Sequence, residues 1–507
     1  MSVPLNDNGK VELETEEEKF QRKISLWIVY ATVFIQCLGA SIVITPLWPY
    51  LQKLDNDASK EWFGAIVAAN PLGQLLFSPV IGWWCNRLRS IRVPSLFCLG
   101  LFIFANVWYA LLPLHGSHVK HFMFTARFLV GVSSGSVAAC RTYLSQGTLI
   151  AERTGSISTF SLCQSLGFIL GPIAQVALTF IGDEGYPIHG KLSLSMYTAS
   201  SWIAAIAGAL NVVLYFPKFF QESNVAEREI LAQVNSDGDI GKDVTSKKEE
   251  INWSKIPPDY IGIFPIVSGF FFIFFGYSLL ETLATPVMID QFGMDNAQAI
   301  KTIGVSTAIS SVVALACFFT IPALCKRFDE RKILIGLGLV PTLLGRVFFF
   351  PFGGPIAPMR IEGCMMNTTT LTDLANKAAC SNVPNAVWSV LQHGCPKEQT
   401  WCFEIPALSE IALGIGYAIC TIGYPYSVVL LQTIFSKMVG PRPQGVWMGF
   451  LTGISSLARV VGPFFVTFIY TKYGTIATSG AVTGLIFVSF VCILVVYKRL
   501  VPIKIPY

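Results

Sequence analysis

Apolar residues fall along this chain in runs of roughly twenty, the length a helix needs to cross a bilayer core of about 30 Å. Short polar stretches separate the runs. The pattern predicts spans at 24–48, 62–84, 93–113, 121–143, 156–180, 196–216, 260–288, 302–324, 333–350, 404–436, 445–470 and 475–497. Several of these exceed what one upright crossing requires, so tilts or kinks are expected. Pro46, Pro49, Pro172, Pro286, Pro425 and Pro463 supply the kink sites.

The rhythm breaks twice, and the breaks define the domains. An acid-rich tail, 1–23, precedes a six-helix bundle at 24–216. A polar linker at 217–259 leads to a second bundle at 260–497, followed by a tail at 498–507. Within the second bundle, residues 351–403 form one long loop. The first apolar run is too long for a cleavable signal and is expected to stay as an anchor.

Composition agrees with this. The 507 residues are 53% hydrophobic and 13% charged, with a mean hydropathy of +0.57. A soluble domain carries about 25% charge, so a soluble reading is excluded. The net charge of +5 gives no nucleic-acid signal. Most of the 36 Lys and Arg fall on one face of the predicted topology, which orients both termini toward the cytosol. The loop 351–403 then lies on the far side. It carries Cys364, Cys380, Cys395, Cys402 and the sequon at Asn367, features of a secretory-pathway lumen. Two disulfides are expected, with three connectivities open. A second sequon, at Asn252, faces the cytosol and should be silent.

The two bundles are copies of each other. Cys85-Asn86-Arg87-Leu88 after the second span is echoed by Cys325-Lys326-Arg327-Phe328 after the eighth, 240 residues on. Gly167-x-x-x-Gly171-Pro172 in the fifth span is echoed by Gly462-Pro463 in the eleventh, 291 residues on. The extra 51 residues are close to the excess length of the loop 351–403. A parallel duplication of six helices places a solute site between the bundles near the midplane.

These residues resemble the signatures of the major facilitator superfamily. Gly82-x-x-x-Asn86-Arg87-x-Arg89 is similar to its loop signature, with Asn86 in place of the usual acid. Ala126-Arg127-Phe128-Leu129-Val130-Gly131 is similar to its fourth-helix signature. Gly167, Gly171 and Pro172 are similar to its fifth-helix signature, although Gln175-Val176 replaces the closing glycines. The resemblance implies that the Gly-Pro sites allow packing and bending between bundles, and that Arg87 and Arg327 latch the cytosolic side. Strings such as Trp48-Pro49-Tyr50-Leu51, Cys163-Gln164-Ser165 and Gly440-Pro441-Arg442-Pro443 resemble an endolysosomal branch of the superfamily. That closer resemblance implies a lysosomal location and chloride permeation. Tyr497-Lys498-Arg499-Leu500 fits a tyrosine-based sorting signal.

No phosphate loop, metal-spaced His/Cys cluster or nucleophile elbow occurs, so no catalytic residue, cofactor or metal is expected. Charges inside spans are costly in hydrocarbon and mark cavities or interhelical clamps. Arg127 lies in the fourth span, Glu281 in the seventh and Arg459 in the eleventh, and these three are the candidate pathway residues. A guanidinium facing water attracts anions, whereas one bonded to backbone carbonyls merely clamps helices. Glu281 suits proton coupling or gating, or partnership with one of the arginines. Arg346 lies near enough to the luminal end of its span to snorkel. The five histidines fall on or near the luminal side, where an acidic lumen would protonate them. An excess of base in the spans favours an anionic or neutral solute.

The expectation is therefore an all-α membrane protein with twelve spanning helices, in two pseudo-symmetric six-helix bundles of the major facilitator fold. By analogy it is a monomer in the bilayer. The leading function is endolysosomal passage of a small anion, with chloride first. The alternatives are a proton-coupled carrier of a small organic solute, with Glu281 as coupling acid, and a non-transporting receptor or scaffold. Fold alone cannot choose among them.

Overall fold

The computed structural model describes residues 13–55, 58, 60–189, 192–229, 232, 258–294, 296–353, 356–358, 361–365, 371–372, 387–391, 394–396, 399–440 and 442–502. Among these, ten helices are long and apolar enough to cross a bilayer. The first bundle holds α1 (Glu16–Ile44), α2 (Lys60–Leu88), α3 (Arg92–Ala110), α4 (Val119–Gln146), α5 (Ile150–Leu178) and α6 (Met196–Leu214). The second holds α7 (Tyr260–Phe292), α8 (Asn296–Cys325), α9 (330–347), α10 (Glu410–Val439) and α11 (Gly445–Val495).

Local chemistry sets the helix ends. Thr15 and Glu18 form a reciprocal capping box at the start of α1. Asp259 caps α7, Asp329 caps α9 and Ser409 caps α10, each accepting a backbone N–H of the first turn. Gly293 closes α7 in the left-handed region.

Three helices are irregular. α4 is interrupted at Ser134-Gly135, between Val119–Ser133 and Ser136–Gln146. α9 passes through a π-helical stretch at Leu334–Leu339. Pro341 follows it and has no N–H for the carbonyl one turn back, and a widened turn absorbs that loss. α11 is 51 residues long and breaks at Gly474 (φ 80°, ψ −168°), where only glycine sits without strain.

Each bundle has its own core. In the first, one cluster around Val33, Cys98, Tyr143 and Phe160 fills the end near the 82–92 loop, and another around Tyr50, Ile66, Tyr109 and Met123 fills the opposite end. In the second, Phe270, Leu431, Phe435 and Ile493 pack at the end near the 325–332 loop. Phe275, Val482 and Ile486 pack at the other end, together with Trp401, Cys395 and Cys402 from the long loop.

The all-α expectation needs one amendment. The loops carry short antiparallel strands: Tyr186–His189 with Leu192–Leu194, and Ile361–Met365 between Leu371–Thr372 and Val387–Leu391. Cys364 lies on the strand Ile361–Met365. Cys395 and Cys402 are joined by a disulfide, their Cα atoms 6.2 Å apart. Cys380, Asn367 and Asn252 lie outside the described residues.

The start of the linker belongs to the first bundle. Gln221 exchanges hydrogen bonds with Ser25. Glu222 accepts from the N–H groups of Ile91 and Arg92, and Glu229 from that of Ile150. The segment thus caps the first turns of α3 and α5. In the other tail Leu500 is buried, and Tyr497 lies under the Arg331 guanidinium at 4.8 Å. The tyrosine motif is therefore packed against the start of α9.

Candidate functional site between the two bundles

The bundles meet along α2 and α11, along α4 and α11, and along α5 with α8 and α10. On the first seam the backbones touch. A Cβ on Gly82 would overlap the Gly445 carbonyl, and one on Gly449 would overlap Ser78. Asn86 closes this end: its Oδ1 accepts from Gly445 N–H at 2.7 Å and its Nδ2 donates to the Pro443 carbonyl at 3.2 Å. On the other seam Ser158 Oγ donates to the Phe318 carbonyl at 2.6 Å, and Ser145 and Ser436 hydroxyls meet at 2.8 Å. Arg153 is buried and donates to the Ser145 carbonyl at 2.7 Å and the Ser436 carbonyl at 3.5 Å. Lys437 pairs with Glu330 at 2.7 Å, and Thr154 donates to the same carboxylate oxygen. These contacts all lie in the half of the molecule that holds the 82–92 and 325–332 loops. Toward the other end, positions 301–310 of α8 are exposed or half-exposed throughout, as is α5 apart from the face it turns to α1.

At the floor of that opening lie the buried charges. Arg459 donates to Gln74 Oε1 of α2, and Ser456 Oγ donates to the same oxygen at 2.8 Å. The Gln74 amide donates to the Ser134 carbonyl at 3.2 Å, at the interruption of α4. Arg141 Nη1 donates to Thr452 Oγ1 at 2.8 Å, and its guanidinium lies 5.7 Å from the Phe270 ring. Arg141 and Arg459 are electrostatic neighbours. Glu281 is exposed, yet α7, α10 and α11 surround it: its neighbours are Arg459, Tyr277 and Tyr424. The two tyrosine rings stack at 4.9 Å. A carboxylate both accessible and ringed by protein lines a recess. Among the described residues it joins no salt bridge, and Arg459 is the guanidinium beside it.

The structure thus brings Arg459 and Glu281 together. Arg127 stands apart, enclosed in the first bundle near Tyr109. The Gly-Pro signatures pack within bundles, not between them. Gly167 and Gly171 of α5 lie against Phe34, Cys37 and Ser41 of α1, and Gly462 of α11 lies against Ser278 of α7. Pro172 and Pro463 follow on the same turns. Arg87 and Arg327 are exposed and bond nothing among the described residues; Asn86 and Glu330 hold the seams. Arg346 does not snorkel. It is buried, donates to the Gly276 carbonyl, and lies 5.4 Å from the Phe349 ring. Arg141, near the end of the predicted span 121–143, is buried, and α4 runs on past it to Gln146. Gln74, Thr452 and Ser456 carried no signal, since uncharged polar residues are common in spans. Asp290 lies beyond the predicted end of its span, at 288; it is buried and accepts from the Tyr470 hydroxyl at 3.1 Å.

Arg459, Arg141 and the accessible Glu281 thus lie where the two bundles meet. Over residues 29–392 the sequence matches the profile of the Major Facilitator Superfamily. The chain belongs to that superfamily. It is 35% identical to "Major facilitator superfamily domain-containing protein 8" of Xenopus laevis, over 99% of this chain and 97% of that one. It is 28% identical to "Multidrug resistance protein 2" of Bacillus subtilis, over 62% of this chain and 70% of that one. Among solved structures, the human organic anion transporter MFSD10 (TETRAN) superposes with a TM-score of 0.60 at 16% identity, covering 93% of this chain and 99% of that one. The proton:xylose symporter XylE superposes at 0.63 with 12% identity, covering 96% and 97%. At such identities these structures speak for the fold alone. This facilitator is a multi-pass membrane transporter and not an enzyme.

Proposed function

We propose that this facilitator moves a small anion through the recess between its bundles, with chloride the first candidate, in the endolysosomal membrane. The observation that carries the reading is the central charge set. Arg459 and Arg141 lie beside each other between the bundles, and among the described residues Glu281 is the acid next to Arg459. A fixed excess of positive charge in a water-accessible, low-dielectric recess concentrates anions and repels cations. We read α11 as two crossings on either side of Gly474 and 330–347 as one. That makes twelve, with both termini cytosolic as the Lys and Arg distribution favours. The disulfide-bearing loop then faces the lumen, an oxidising compartment. The endolysosomal membrane itself rests on the resemblance of the sequence strings.

The test is whole-endolysosome patch clamp at acidic luminal pH, with chloride exchanged for a large organic anion. The expected result is a current that follows the chloride gradient and is lost in Arg459→Ala. Undiminished anion flux in an Arg459→Ala protein that reaches the membrane would overturn the assignment. A second reading is a proton-coupled carrier of an organic anion, favoured by the accessibility of Glu281. It expects no chloride current but pH-dependent uptake that Glu281→Gln abolishes.

A further inference from the structure

Arg127 is 2% exposed and ranks among the largest fully buried side chains of the molecule. Its Nε has no hydrogen-bond partner, and among the described residues it joins no salt bridge and lies over no ring. Arg346, equally buried, also leaves Nε and one terminal nitrogen unpaired, but its other terminal nitrogen donates to the Gly276 carbonyl and its guanidinium lies over the Phe349 ring, contacts of a kind that Arg127 lacks among the described residues. Beside Arg127 stands Tyr109, the one ionisable group close enough to bear on it. The hydroxyl of Tyr109 is buried without a partner. Next to Tyr109 stands Tyr50, ring centroids 5.5 Å apart, and its hydroxyl too is buried without a partner. Among the described residues, three neighbouring groups therefore hold hydrogen-bond donors with nothing to receive them, and no acid sits among them.

An unpaired buried charge costs several kcal/mol, and an unmet donor about 1–3 kcal/mol. A tyrosine hydroxyl can donate or accept, but a guanidinium can only donate. The species that meets all three is one that accepts only and carries negative charge. At the loop end Lys53 lies 5.6 Å above the Tyr197 ring, which stacks on Tyr50 at 4.9 Å, while the Tyr197 hydroxyl donates to Asp183 at 2.8 Å.

We infer that Arg127, Tyr109 and Tyr50 form a binding site for a small monovalent anion inside the first bundle, separate from the Arg459–Glu281 recess. The bound anion is structural: it neutralises Arg127 and ties α4 to α3 and to the two-turn helix Leu47–Leu54 that carries Tyr50. The site does not depend on what the central recess transports.

Thermal unfolding of the purified full chain in chloride, bromide or gluconate at equal ionic strength tests this, because a ligand bound only by the folded state raises the midpoint with its concentration. The expected result is a midpoint that rises with chloride or bromide over gluconate. The rise should persist in Arg459→Gln and be lost in Tyr109→Phe, which keeps the ring and removes only the hydroxyl, and in Arg127→Gln. If Arg127→Gln fails to fold, Tyr109→Phe alone decides. A halide-independent midpoint in the wild type would overturn the inference. So would a halide shift that survives Tyr109→Phe, or one that disappears only in Arg459→Gln.

Discussion

The loop after α2 and the loop after α8 are two copies of one sequence element, and each sits on a seam between the bundles. They hold their seams by different means. The first is neutral and rests on backbone proximity: Gly82 lies against Gly445, and the Asn86 amide gives one hydrogen bond and takes one at the start of α11. The second is ionic. Glu330, at the start of α9, takes Lys437 of α10 and Thr154 of α5 on one carboxylate oxygen, with the Glu and Lys side chains only 18% and 13% exposed. The two loops share the place of the latch and not its chemistry. An amide responds weakly to salt, whereas an ion pair with some access to solvent is screened by it. One seam should therefore open independently of conditions, and the other should sense them.

The largest effect should come from breaking the neutral seam at its backbone contact. Gly82→Leu drives a side chain into the Gly445 carbonyl, and two backbones cannot yield as a flexible side chain would. Overpacking costs about 1–3 kcal/mol and occasionally more, and a contact between two backbones belongs at the upper end. The purified variant should melt well below wild type or fail to accumulate; an unchanged midpoint would mean that the two helices are not in contact in the membrane.

The ionic seam should be next. Glu330→Gln keeps the volume and the Thr154 bond but leaves Lys437 half-enclosed without a counter-charge. The cost should be about 1–3 kcal/mol, below that of a fully buried pair because both groups keep some access to water. The wild-type midpoint should fall with added salt, and the variant should lose part of that dependence. Equal salt dependence in the two proteins would show that the pair contributes nothing to the seam.

The comparison also marks how far the sequence could be read. The membrane-spanning character of the apolar runs was legible, because a twenty-residue apolar run is a long signal, and ten helices long and apolar enough to cross a bilayer occur among the described residues. Arg459 and Glu281 were legible as charges in hydrocarbon. Their neighbours were not. Gln74 takes its role from α4 breaking at Ser134, and Thr452 from the buried Arg141 that donates to it. The direction of packing was also hidden. A Gly-x-x-x-Gly-Pro string announces close approach but not the helix approached, and here the partners are α1 and α7 within each bundle. The latch residues show the same limit. A basic motif drew attention to Arg87 and Arg327, while the bonds are made by the uncharged Asn86 and by Glu330 just past the repeat.

The sharpest probe of the neutral seam is the smallest change, Asn86→Asp, which restores the acid usual at this position in the superfamily. The carboxylate still accepts from Gly445 N–H, and its charge now faces the first turn of α11, where a helix favours a negative group by about 0.3–1 kcal/mol. It can no longer donate to the Pro443 carbonyl, a loss of about 0.5–1.5 kcal/mol. The two terms nearly cancel, so the midpoint at neutral pH should stay within a degree or two of wild type. What should change is the response to conditions. A charge that stabilises by facing a helix N-terminus is lost on protonation and weakened by salt. The variant should therefore lose stability relative to wild type as pH falls toward the carboxylate range, and as salt rises. A parallel pH and salt titration of the two proteins measures this directly. Superimposable curves would mean that Asn86 holds α11 by shape alone, and that the neutral latch owes nothing to the N–H groups it caps.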